Sequence, residues 1–151
     1  MTAPALPAPQ TSARTLMARL DEDLAGLERA RFLLAEGERA AGTSPREAYE
    51  LVHRAALRGA GVLVQRANRE RRRRLPLNVW SALERLGGAA AERSVQMVPL
   101  VAERSRLERC PEAVPDPELL RRHIELTDRH LATVSQQLLD GMPEGVVALA
   151  R

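Results

Sequence analysis

Asp116-Pro117-Glu118-Leu119-Leu120 opens the stretch DPELLRRHIELTDRHLATVSQQLLDG, residues 116–141, and this stretch decides the fold class. Asp116 can cap a helix, Pro117 suits its first position because the missing N–H would be unpaired there anyway, and Glu118 complements the positive end of the helix dipole. Leu120, Ile124, Thr127, Leu131, Val134 and Leu138 then recur in alternating steps of four and three. That spacing lays one apolar seam along a helix, and Gly141 closes it.

Upstream, the same period continues. A first helix is predicted from Ser12, with Leu16, Leu20, Leu24, Leu27 and Leu34 on one side, ending near Glu36 before Gly37. Ser44-Pro45-Arg46-Glu47 reads as a capping box: the Ser44 hydroxyl accepts from the Glu47 amide and Pro45 stands first in the helix. The second helix turns Ala48, Val52, Ala55, Ala56, Val62 and Leu63 inward, with Gly59 and Gly61 allowing close approach of a neighbour. It frays into the Arg run. Asn78 caps a third helix carrying Val79, Trp80, Leu83 and Leu86, which Gly87-Gly88 ends. A fourth begins near Ala89, and Pro99 within it predicts a kink or break. Nothing alternates with period two over a strand length, so the chain reads as all-α, an up-and-down bundle of four to five helices.

With 151 residues, 44% of them hydrophobic, the chain is sized for one domain. Residues 1–11 read as a disordered leader, 12–141 as the helical domain and 142–151 as a C-terminal tail. MTAPALPAPQ has no basic n-region and no apolar h-region, so it does not read as a secretory signal. Cys110 is the only cysteine, which excludes an intrachain disulfide and a thiolate metal site and fits a reducing cytoplasm. No uncharged apolar run is long enough to span a bilayer, so no membrane partner is expected. The aromatics number three, Phe32, Tyr49 and Trp80, too few for base-stacking platforms.

All 23 basic residues are Arg, and Ile124 is the only isoleucine, a bias of GC-rich coding that points to a high-GC bacterium. Six of those Arg fall between Arg66 and Arg74 (RANRERRRR) with one Glu, leaving 17 Arg against 19 acidic residues elsewhere. The positive charge is therefore local. Arg66, Arg69, Arg71, Arg72, Arg73 and Arg74 have two readings: a patch that neutralises RNA or DNA phosphates, or a solvated linker.

Few residues are placed for chemistry. His123 and His130 are two turns apart, roughly 10.5 Å, and cannot share one metal ion, so edge-of-seam packing is expected for both. No metal site and no cofactor is expected. His53 lies one turn from Tyr49 on an otherwise aliphatic helix. It reads either as a core-edge histidine with an interhelical hydrogen bond or as part of a site for a ligand or partner with Tyr49, Arg54 and Arg58.

Tyr49-x3-His53-Arg54-Ala55-Ala56-Leu57-Arg58, followed by a small-residue helix, an Arg-rich link and Trp80, resembles a small single-domain HEPN family (higher eukaryotes and prokaryotes nucleotide-binding) of actinobacteria. The similarity spans Leu16 to Leu139. It implies a four- to five-helix bundle, commonly a homodimer, with relatives that are metal-independent RNases, toxins or inactive nucleic-acid- or nucleotide-binding modules. Active relatives place Arg and His four to six residues apart on a late helix. Here Arg122 and His130 have seven between them, and only Arg46 and His53, on an early helix, meet the spacing. The resemblance thus implies a non-catalytic module that binds nucleic acid, a nucleotide or a protein partner. A metal-independent endoribonuclease with a displaced Arg46/His53 pair and a purely structural interaction bundle are the alternatives. The seam of the last helix is the expected homodimer contact.

Overall fold

The computed structural model describes residues 3–4 and 11–142. The leader read over 1–11 and the tail read over 142–151 fall largely outside them. Among the described residues five helices follow one another: α1 Ala13–Ala40, α2 Pro45–Arg69, α3 Val79–Leu86, α4 Gly88–Arg109 and α5 Pro117–Asp140. No strand occurs among the described residues. The protein is an all-α bundle, as its periodicity required.

The apolar stripes of α1, α2 and α5 meet in one core. Leu20, Leu27 and Leu34 of α1 pack with Val52, Ala55 and Val62 of α2 and with Leu131, Val134 and Leu138 of α5. Each is removed from water, and burial of a Leu or Val side chain stabilises by about 1.5–3 kcal/mol. The α5 seam is thereby used up within the chain: Leu120, His123, Thr127, His130, Leu131, Val134 and Leu138 are all buried. It offers no free face to a second copy. Helices α3 and α4 lie over this core, with Met97 and Leu100 packed on Ala56 and Trp80 beside them.

Three local expectations are corrected. Gly37 does not end α1, which runs on to Ala40. A Cβ at Gly37 would lie 2.7 Å from Val52 Cγ2 and 3.3 Å from the Ala48 carbonyl, so this glycine is where α1 and α2 touch. Ser44 makes no side-chain cap bond. Pro45 does open α2, and the first bond is the Ala48 amide donating to the Ser44 carbonyl at 2.9 Å. Pro99 does not break α4, which runs continuously from Gly88 to Arg109. Pro99 stands on the exposed side, where the carbonyl it leaves unpaired can meet water. Asn78 caps α3 and Asp116 caps α5 through their side-chain oxygens, as their positions predict.

Candidate nucleic-acid interface

The residues expected to form one site on α2 divide between its two faces. Tyr49 and His53 point into the core, and Arg54 and Arg58 point to solvent. Tyr49 is fully buried and its hydroxyl donates to the Leu100 carbonyl at 2.6 Å, tying α2 to α4. Burial, then the nearby Glu103 carboxylate, raises its pKa. His53 is 3% exposed and has no interhelical hydrogen bond at Nδ1; instead its ring meets that of His123 edge-on, centroids 5.7 Å apart. Burial lowers its pKa to about 4. Arg54 approaches Glu50 at 3.4 Å and is otherwise in water.

Arg46 and His53 do not converge. The Arg46 guanidinium donates to the carbonyls of Leu107, Cys110 at 3.1 Å and Ala113 at 3.0 Å, closing the C-terminal end of α4. The spacing that suggested a displaced pair is a coincidence of one helix face pointing toward α4 and another toward α5. Arg104 of α4 is absent from the sequence reading, yet it forms a two-pronged pair with Glu50 at 3.0 and 3.1 Å. Its hydrogen bond is the main cause of the lowered Glu50 pKa. A mixed-charge groove of about 730 Å³ opens here, lined in part by Arg46, Glu47, Glu50, Arg54, Arg104 and Glu108. Cations and carboxylates alternate along it, so it presents no net charge to attract one kind of ion.

The late-helix histidines are both core residues. His123 is fully buried with Nδ1 3.2 Å from the Thr127 hydroxyl, and His130 is 1% exposed with Nδ1 3.2 Å from Arg93 Nη1. Burial lowers both pKa values to about 3. The Arg93–His130 contact joins α4 to α5 and was invisible as a sequence spacing because its members are 37 positions apart. Among the described residues no group of three or more His, Cys, Asp and Glu is placed to hold a metal ion. No helix of the described residues is long and apolar enough to cross a membrane.

The Arg run separates into anchors and a displayed segment. Arg66 and Arg69 lie within α2 and turn back onto the bundle. Arg66 donates to the Gln137 carbonyl at 2.8 Å, and Arg69 grips Asp23 through two bonds of 2.9 Å. Arg71, Arg72, Arg73 and Arg74 follow in the loop, all exposed and, among the described residues, in no ion pair. This loop is clamped. The Asn68 side-chain oxygen accepts from the Leu75 amide at 2.9 Å across seven residues, and Leu75 is 6% exposed. A free linker lacks both features. The clamp holds four consecutive guanidinium groups at one end of the bundle, next to a groove of about 450 Å³ lined by Gly61, Val64, Gln65, Asn68, Arg69, Arg74 and Val79.

No curated protein and no solved structure matches the chain. One family does, over residues 39–135, nearly two thirds of the chain, from the last turn of α1 to within two turns of the end of α5. Its span contains the clamped Arg loop, the buried histidines and Trp80. The chain belongs to the HEPN_SAV_6107-like HEPN family.

Proposed function

We propose that this HEPN domain is a non-catalytic module that binds single-stranded nucleic acid through Arg71, Arg72, Arg73 and Arg74. One observation carries the reading: four adjacent exposed arginines, without an acidic partner among the described residues, stand in a loop closed by Asn68 and Leu75. Neighbouring guanidinium groups release counterions from several phosphates at once, and their planar donors suit two-pronged phosphate contacts. Bases add little, because Trp80 is the nearest aromatic in sequence and is half-buried. Binding is therefore tolerant of sequence.

The non-catalytic part rests on accessibility. Ribose cleavage needs a histidine at the proton and an arginine at the phosphate. Arg46 is held on three carbonyls, and Arg93, among the described residues the one arginine within hydrogen-bond distance of a histidine, meets one that is 1% exposed. Neither pair offers substrate a path to the imidazole.

Fluorescence anisotropy with oligouridine and oligothymidine over a salt series tests the reading. The slope of log affinity against log salt should be near −3, at about −0.7 for each of four phosphates. Replacing Arg71–Arg74 by Ser should flatten the slope with melting temperature unchanged, since exposed loop charges contribute little to folding. Equal slopes for both proteins remove the loop as the site, and cleavage of the oligonucleotide in a chelator rejects the non-catalytic assignment.

A further inference from the structure

The end of α5 opens onto a groove of about 500 Å³ that runs between the last turns of α2, the junction of α3 with α4, and α5 itself. Its middle is small and apolar: Leu63, Ala67, Leu86, Ala89 and Ala90 line it. The chain leads directly into this groove. Gly141 is part of its wall, and a Cβ there would collide with the Arg66 guanidinium, which donates to the Gln137 carbonyl at 2.8 Å. The backbone thus leaves α5 pressed against α2, and Met142 is still packed on the core. Helix α1 contributes no residue to the groove, so the segment that precedes α1 starts from outside it.

The residues that follow match the groove in order and in kind. Met142 is succeeded by Pro143-Glu144-Gly145-Val146-Val147-Ala148-Leu149-Ala150-Arg151. The apolar run begins four positions past Met142, within about 13 Å of it at about 3.3 Å per residue, so its reach covers the apolar floor. Glu144 comes before that run and is the one carboxylate side chain of the segment. It has a complement in the groove. No side chain caps α4 and its first turn carries no acidic residue, so the positive end of its dipole, where Ala89 and Ala90 stand, has no carboxylate from its own helix. We infer that residues 143–151 dock in cis along this groove, with Val146, Val147 and Leu149 on its apolar floor and Glu144 at the start of α4. The inference stands apart from the nucleic-acid reading: a chain that binds no oligonucleotide can still hold its own C-terminal segment.

Maleimide labelling of the full chain in a Cys110→Ser background tests it. Ala90→Cys puts one thiol in the groove, and Val95→Cys, at a position 68% exposed on the same helix, is the control. Adding Val147→Asp with Leu149→Asp should speed labelling of the Ala90→Cys protein about tenfold, which corresponds to a docked population of about nine-tenths, and should leave the Val95→Cys rate unchanged. Glu144→Gln should give up about two- to fivefold of the protection, the size of one helix-dipole contact. A contact in cis has no concentration dependence, so the protection should be the same in dilute and concentrated protein. Equal Ala90→Cys rates with and without the Asp substitutions, protection that grows with concentration, or protection that Leu6→Asp removes and the C-terminal substitutions do not would each overturn the proposal. Full protection in Glu144→Gln would overturn the placement of that carboxylate. Should Ala90→Cys lose helicity, Ala89→Cys decides.

Discussion

Arg69 and Asp23 form a two-pronged ion pair between α2 and α1, with both bonds at 2.9 Å and the Asp23 side chain 1% exposed. A carboxylate that far from water has its charge matched by this guanidinium, and Glu22 adds an outer contact to the same arginine at 3.3 Å. Removing one member leaves the other charged and buried, which costs about 3 kcal/mol or more. Arg69→Ala should therefore lower the urea midpoint strongly while leaving the salt slope of oligonucleotide binding near its wild-type value. A variant with wild-type stability and a flatter slope would return Arg69 to the binding loop.

Two glycines of α2, two positions apart, should respond with opposite signs. A Cβ at Gly59 would collide with Leu131 Cδ2, inside a core where Leu131 is fully buried. Gly59→Ala overfills that contact and should destabilise by about 1–3 kcal/mol. A Cβ at Gly61 meets nothing within 4 Å, so Gly61→Ala gains helix propensity and should stabilise by about 0.5–1 kcal/mol. Thermal melts of the two variants check both signs.

The three buried histidines make stability depend on mild acid. Their folded-state pKa values, about 4 for His53 and about 3 for His123 and His130, lie below the ordinary imidazole value because burial disfavours the cation. The unfolded chain then binds more protons. Stability is complete above about pH 6.5 and falls as pH drops toward those values, by about 1.4 kcal/mol per pH unit for each histidine. Urea midpoints at pH 7.5, 6 and 5 should decline steeply, before the ordinary carboxylate range is reached. A flat profile from pH 7.5 to 5 would mean that the imidazoles are reached by water.

Arg46 should behave as a structural cap. Its guanidinium satisfies three carbonyls at the end of α4, and hydrogen bonds from a charged donor are worth about 1.5–3 kcal/mol. Arg46→Ala should lower the melting temperature by an amount of that order. It should leave oligonucleotide affinity nearly unchanged once the protein is held below its transition.

Periodicity determined the helices, because apolar spacing, Asn78, Asp116 and Pro117 act within one or two turns and need no knowledge of neighbours. The Tyr49 to Arg58 stretch with Trp80 was likewise enough to point to the HEPN family, which the match over residues 39–135 establishes. The sequence also marked the concentration of charge between Arg66 and Arg74.

Tertiary structure decided what each of those residues does. Whether Gly37 ends a helix or admits Val52 depends on a second helix, and whether Arg69 faces phosphate or Asp23 depends on α1 lying alongside α2. Tyr49 with His53 and Arg54 with Arg58 look like one cluster along the chain, yet α2 turns the first pair inward and the second outward. The 4-3 seam of α5 was equally suited to a second chain or to α1 and α2. A spacing specifies the shape of an apolar face, but only the packing of the whole bundle selects what covers it.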